Sequence, residues 1–335
     1  MNVKSSAKVG AVLGAAALGL GILSSPASAD PTPVTDYRQL AGVGSDTTQY
    51  VMNGIGDVAT NTNGKIIASW NATGSATVKT RATGCDSVAR PNGSSAGINA
   101  LNADLDNPSV DCVDFARSSR GPADTSTQDL TFIPFAKDGV TYATDLGSTV
   151  PTNLTKAQLT SIYTNCTYTN ASGATVTVQP LLPQSGSGTR AFWLTALGLS
   201  ESQVGSCVVQ GAQEHDGTAI TSGNQLMPYS IAQWIAQGKG FSDVPNRRGE
   251  SRLRSINGLA PTTGSGTALA LNTGFDSEFL RDVYNVVPTA RLGNAVVAET
   301  FVGSTSKVCA ASSTITNYGF GTLSTCGSTS IKAER

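Results

Sequence analysis

The sequence predicts an α/β fold. Three observations carry this: short apolar runs of strand type end in or near glycine, Ser/Thr/Gly turns with helix-starting chemistry follow them, and the alternation recurs along the chain. Residues 40–44 (Leu-Ala-Gly-Val-Gly) read as a buried strand. Ser45-Asp46-Thr47-Thr48 then leads into Tyr50, Val51, Met52 and Ile55, a helix start with Ser or Asp as N-cap. Residues 65–70 form a second strand, and Gly93-Ser94-Ser95-Ala96-Gly97 opens a second helix through Ile98, Ala100 and Leu101. Residues 113–117 read as a strand, 118–122 as a loop, 130–136 as an extended segment containing Pro134, and 137–142 as a hairpin or strand. Residues 153–163 have helical apolar spacing at 154, 159, 162 and 163, capped by Asn153 or Thr155. Gln184 to Arg190 is a turn opening a helix at 191–194, and 230–237 is a further helix, whereas 263–267 reads as a loop.

The length, 335 residues, suits two domains better than one core. Charged residues are only 13% and the formal net charge is −1, so the basic surface required for non-specific nucleic-acid binding is absent. A single histidine, His215, excludes a histidine-rich metal site and weakens a Ser-His-Asp reading. Its neighbour is Asp216, too close in sequence to orient it easily as a base, and it reads as a surface or cleft-edge residue. No cofactor or metal is expected.

The first 29 residues read as an export signal: Lys4 and Lys8, an apolar run over 9–23, Pro26, then the small-x-small site Ala27-Ser28-Ala29. Cleavage is expected after Ala29, leaving a secreted, extracytoplasmic chain, with 30–37 a mobile leader. No cysteine follows the apolar run, so a lipid-anchored start is not supported, and no later stretch is long and apolar enough to span a bilayer. Six widely spaced cysteines without a C-x-x-C suit disulfides rather than zinc. Among the fifteen pairings open to six cysteines, neighbour pairing is expected: Cys85 with Cys112, Cys166 with Cys207, Cys309 with Cys326.

Three of the turns, 44–48, 93–97 and 185–189, share one chemistry. A helix N-terminus offers free N–H groups and a partial positive charge, hydroxyls add donors, and glycine admits an anion to the backbone. Together they suggest an oxyanion site of neutral donors; singly, each is also what an ordinary helix cap requires.

At these turns the chain resembles the phosphate-binding proteins of bacterial ABC uptake systems, in the two-lobed (type II) periplasmic-binding-protein class. Gly42-Val43-Gly44-Ser45-Asp46-Thr47 is similar to the family's first phosphate loop, Gly93-Ser94-Ser95-Ala96-Gly97 to its second, and Asp114-Phe115-Ala116-Arg117-Ser118-Ser119 to its third. Residues 154–163 resemble its L-t-…-I-Y helix, and Gln184-Ser185-Gly186-Ser187-Gly188-Thr189 its S-G-S-G-T loop. The likeness spans about 38–240. It implies two α/β lobes joined by extended crossovers, with lobe one over 36–133 plus about 246–330 and lobe two over 134–245. Ile133-Pro134-Phe135 is then one crossover, its proline suited to a strand that is not central in a sheet. It further implies a monomeric, non-enzymatic binder of inorganic phosphate or a related oxyanion, with an ABC permease as partner. The implied ligand set is Ser45, Asp46, Thr47, Ser94, Ser95, Arg117, Ser118, Ser119, Ser187, Gly188, Thr189 and Arg190.

Two positions depart from the family. The Asp common in its third loop is replaced by the stretch Arg117-Ser118-Ser119-Arg120, and the Arg preceding its S-G-T serine by Pro183. Asp46 is a substitute proton acceptor or a plain N-cap; Arg120, beside Gly121-Pro122, reads as exposed. Sulfate, or a phosphorylated or carboxylated small molecule, stays open as ligand. Two further functions stay open: a secreted binding or adhesive protein that kept the fold, and a secreted hydrolase. Against the hydrolase, Ser187 lies in G-S-G rather than in a G-x-S-x-G elbow.

Overall fold

The computed structural model describes residues 30, 31, 35–107, 109 and 111–334; the export segment 1–29 lies outside the described residues. One large mixed sheet is built from β1 (Leu40–Gly44), β2 (Ile67–Ser69), β3 (Phe115–Ser118), β4 (Leu130–Asp145), β5 (Gln179–Pro183), β6 (Val209–Ala212), β7 (Gln225–Ser230), β8 (Ser251–Leu253), β9 (Leu280–Pro288) and β10 (Lys332–Ala333). The strand order is β6-β5-β7-β4-β9-β3-β1-β2, with β8 and β10 also paired to β4. The helices that bear on the site are α1 (Gln49–Val58), α2 (Ser94–Asp106), α3 (Lys156–Asn165), α4 (Gly188–Leu197) and α5 (Ile231–Gly238).

β4 organises the molecule. Its first part, from Leu130 to Gly139, pairs antiparallel with β9, and its continuation from Val140 to Ala143 pairs antiparallel with β7. A single 16-residue strand thus serves both halves of the sheet, where an extended segment followed by a hairpin or strand was expected. Pro134 sits in the middle of this sheet, contrary to its expected non-central place. It is tolerated because the ladder slips there: Val283 faces Ala136 while the next residue, Tyr284, faces Pro134, so Phe135 is an extra residue at a bulge. β9 is the return strand, bridging β4 and β3.

Each half has its own core. Val51, Ile55, Phe115, Phe135 and Phe301 pack on one side, and Tyr163, Leu182, Trp193, Leu226 and Phe279 on the other. Trp193 meets Tyr163 edge-on at 5.7 Å, a geometry that suits the aromatic quadrupoles. Thr155, one of the two expected caps, closes α3 in a reciprocal box with Gln158. The chain's end returns to the first half, where Glu334 pairs with Arg120 at 2.7 Å. Arg120 is therefore 8% exposed, not the surface residue expected from its Gly-Pro neighbours. Asp30 is likewise held, by Arg90 at 2.6 Å, so the expected mobile leader is anchored at that residue.

The three bridges are Cys85–Cys112, Cys166–Cys207 and Cys309–Cys326, with Cα separations of 5.5, 6.2 and 5.8 Å. Each closes a loop within its own region and is expected to contribute about 2–4 kcal/mol. Thiol labelling of the unfolded, unreduced protein should find no reactive cysteine; two or more would refute this pairing.

Candidate oxyanion site

Four turns converge at the cleft between the halves. β1 ends at Gly44 and delivers Ser45, Asp46 and Thr47 ahead of α1; Ser94 opens α2; Ser119 follows β3; Ser187 caps α4, its Oγ accepting from Arg190 N–H at 2.9 Å. Ser45 Oγ donates to Ser119 Oγ at 3.1 Å, Thr47 Oγ1 lies 3.1 Å from the same oxygen, and Ser119 N–H donates to Ser94 Oγ at 2.9 Å. Thr47 and Thr189 hydroxyls meet across the cleft at 3.2 Å. The halves touch so closely that two glycines are required. A Cβ on Gly188 would lie 2.2 Å from Ser94 Oγ and 2.4 Å from Ser119 Oγ. One on Gly93, which sits at φ +119°, would lie 2.5 Å from the carbonyl oxygen of Gly186.

The sequence reading missed four residues at this centre. After β6, Gln213, Glu214 and His215 all reach into the opposite half. Gln213 Oε1 accepts from Asn92 at 3.0 Å, and its Nε2 donates to Asp46 at 3.4 Å. Glu214 Oε2 accepts from Thr47 at 3.4 Å, and His215 Nε2 lies 3.0 Å from Thr47 Oγ1. His215 is fully buried at φ +55°, which corrects its reading as a surface or cleft-edge residue. Its Nδ1 accepts from Ser230 N–H at 3.3 Å, so the neutral ring carries its proton on Nε2 and donates to Thr47. The fourth is Arg281 on β9, paired with Asp138 of β4: Nη2 lies 2.8 Å from Asp138 Oδ2 and 3.1 Å from Thr189 Oγ1. Arg281 is 4% exposed, and among the described residues its Nη1 has no hydrogen-bond partner. Charge in the sparse apolar run Ala136-Lys137-Asp138-Gly139 was the signal for Asp138; Arg281 had none.

Of the residues expected here, Ser45, Thr47, Ser94, Ser119, Gly188 and Thr189 meet directly. Ser187 is adjacent as the cap of α4. The others are directed elsewhere. Ser95 Oγ accepts from Arg120, and Ser118 Oγ donates to the Arg120 carbonyl. Arg117 donates to the carbonyls of Gly42, Gly44 and Ser45 and to Ser69 Oγ, clamping the end of β1. Burial of that guanidinium pulls its pKa down to about 9, Asp46 opposing the shift. Arg190 turns outward to Glu201 at 2.6 Å and to the Pro183 carbonyl. Both arginines were expected as ligands; their N–H groups instead neutralise backbone carbonyls and a rim carboxylate. Asp46 is not the N-cap of α1, a position held by Thr48 without a side-chain bond. Its carboxylate is fully buried, with Arg247 at 3.5 Å and Oδ1 unpartnered among the described residues.

Electrostatically the centre holds an anion already. Burial alone would push the Glu214 carboxyl up, but hydrogen bonding from His215 and the hydroxyls of Ser187 and Thr189 outweighs it, and the pKa lies below the ordinary glutamate range. Arg247 is shifted upward, with burial opposing and Asp46 favouring its charge. Among the described residues no group of His, Cys, Asp and Glu could hold a metal ion, and no helix is long and apolar enough to cross a membrane.

An α/β chain in two halves, with neutral donors from both meeting between them, defines a binding protein of the two-lobed periplasmic class. The sequence matches the family model for the PBP superfamily domain over residues 47–302, and the chain belongs to that family. A solved structure of an ABC-type phosphate transport receptor from Vibrio cholerae is similar, with 17% identity and a TM-score of 0.52 over 85% of this chain and 100% of that one. So is a protein designated a phosphate ABC transporter substrate-binding protein from Clostridium perfringens, solved with phosphate bound: 15% identity and a TM-score of 0.52 over 85% and 99%. A search of curated proteins gave no match. The fold is thus the two-lobed binding-protein fold, and its family and class suggest a substrate-binding role.

Proposed function

We propose that this protein is a secreted substrate-binding protein that captures inorganic phosphate, or a related oxyanion, in its interlobe cleft for an ABC importer. The observation that supports this most is the meeting of hydroxyls from four separate turns beside Arg281, whose Nη1 is buried and unpartnered among the described residues. Buried donors normally have partners, and a guanidinium N–H beside hydroxyl donors suits an oxyanion. The ligand set we propose is Ser45, Thr47, Ser94, Ser119, Ser187, Gly188, Thr189 and Arg281. The reading includes cleavage after Ala29, as the N-terminal export segment suggests, and a monomeric state and an ABC permease as partner, as the resemblance implied. The change of partner along β4 after Gly139, and the return at Leu280, support lobe limits near 139/140 and 279/280 rather than 133/134 and 245/246.

The reading is non-catalytic. A hydrolase would need His215 to accept a proton from Thr47 or a serine. The nitrogen that accepts is Nδ1, held by the Ser230 N–H, while Nε2 faces the hydroxyls as a donor.

Calorimetry of the purified secreted chain with phosphate, sulfate, arsenate and citrate tests the proposal; no binding of any of them would end it. Thr189→Val keeps the shape of the side chain and removes its hydroxyl. Loss of a hydrogen bond to a charged ligand is worth roughly 1.5–3 kcal/mol, so phosphate affinity should fall about tenfold or more. Ser187→Ala should weaken binding comparably but also removes a helix cap, which makes Thr189 the cleaner position. Unchanged affinity in both variants would place the ligand elsewhere.

A further inference from the structure

We infer that Glu214 is an internal anion: its carboxylate occupies the oxyanion position of the cleft and keeps the lobes closed, and a ligand binds by displacing it. The inference rests on the reading of this cleft as an anion site. It is carried by the finger Gln213-Glu214-His215, three consecutive side chains that cross to the opposite lobe and bond to its turns.

Glu214 is fully buried; its Oε2 accepts from Thr47 at 3.4 Å and lies 3.4 Å from His215 Nε2, the hydroxyls of Ser187 and Thr189 lower its pKa, and its Oε1 has no hydrogen-bond partner among the described residues. Among the described residues no lysine or arginine pairs with it. Arg281 is bound to Asp138 at 2.8 Å and Arg247 faces Asp46 at 3.5 Å. A buried carboxylate is ordinarily paired with a cation. This one faces neutral hydroxyls that belong to the proposed ligand set, and its unpartnered Oε1 leaves it easier to displace than a fully bonded carboxylate.

The spacing of those donors agrees. Hydrogen bonds from a hydroxyl to an oxyanion run about 2.5–2.7 Å, so two hydroxyls that donate to one oxyanion oxygen lie roughly 4–5 Å apart. Here Thr47 and Thr189, which face each other from opposite lobes, are 3.2 Å apart. A tetrahedral anion does not fit between them unless the lobes part. Two anions at one set of neutral donors also repel strongly in a buried site, so entry of a ligand requires the finger to withdraw. Amide contacts that need no ligand hold the lobes together around the finger: Asn92 donates to Gln213 of the finger at 3.0 Å, Gln184 to Asn92 at 3.2 Å, and the Gln233 side chain to the Thr47 carbonyl at 2.5 Å.

The test compares the secreted wild-type chain with Glu214→Gln, which keeps the shape and removes the charge, and Glu214→Ala, which vacates the position. Inorganic phosphate is titrated calorimetrically into each, and melting is followed with and without sodium formate. Both variants should bind phosphate at least about tenfold more tightly than wild type, and formate should raise the melting temperature of Glu214→Ala but not of wild type. Wild-type binding that is unchanged or weakened in both variants would overturn the inference while leaving the anion site intact, since Glu214 would then be a partner of the ligand. A formate response without phosphate binding in any chain would uphold the internal anion and sink the phosphate reading. Neither phosphate binding nor a formate response in any chain would overturn both. If Glu214→Ala does not fold, the phosphate titration of Glu214→Gln decides.

Discussion

Replacing Asp138 by alanine should destabilise the protein by about 3–5 kcal/mol, the usual consequence of leaving a buried charge without its partner. Asp138 is fully buried where β4 passes from one lobe to the other. One oxygen accepts from Ser230 Oγ at 2.9 Å and Ala232 N–H at 3.1 Å; the other accepts from Arg281 at 3.0 and 2.8 Å. Alanine removes four acceptor contacts and strands a guanidinium that is 4% exposed. Because the pair joins β4 to β9, the two strands that link the lobes, the loss should also loosen their relative orientation. Joint replacement, Asp138→Leu with Arg281→Met, removes both charges and should recover much of the stability but not the anion affinity. Urea denaturation of the two single variants and the double variant gives the coupling. Additive losses would show that the pair is no more than two independent side chains.

Gly188→Ala should give a folded protein whose lobes cannot close. Gly188 is the first residue of α4, where alanine is favourable to the helix. The nearest neighbours of the new methyl outside its own helix belong to the other lobe: Ser94 Oγ at 2.2 Å and Ser119 Oγ at 2.4 Å. Serine is too short to move away without surrendering the bond from Ser119 N–H to Ser94 Oγ. Overpacking of this kind costs typically 1–3 kcal/mol, and here the molecule escapes it by opening. Because the methyl stands among the hydroxyls of Ser94 and Ser119 that the proposed ligand set uses, phosphate affinity should fall by about ten- to a hundredfold, with melting temperature little changed and the radius of gyration from small-angle scattering increased. A wild-type radius with full affinity would show that the loops slide past one another and that the glycine is not a closure contact.

Much of this protein was determined by sequence alone, because much of it is local. Helix starts at α2, α3, α4 and α5 follow from Gly, Ser and Thr at the turn and apolar spacing after it, and short-range chemistry decides both. Disulfide neighbours close loops of modest length, so Cys85–Cys112, Cys166–Cys207 and Cys309–Cys326 were foreseeable. Hydroxyls at 45, 47, 94, 119 and 189 were legible because a strand or turn that feeds a helix points its first polar side chains past the sheet's end, whatever the rest of the chain does. Tertiary structure alone decided where charge goes. Arg117 and Arg190 lie in the right loops, yet a long side chain follows the strongest acceptors within reach, and these were the carbonyls ending β1 and the carboxylate of Glu201. Arg281 comes to Thr189 only because β9 pairs with β4, a contact between residues 92 positions apart. Glu214 and His215 reach Thr47, 167 and 168 positions away, through a finger in a stretch of no periodicity. Charge placement depends on which surfaces meet, and no pattern within either segment encodes that meeting.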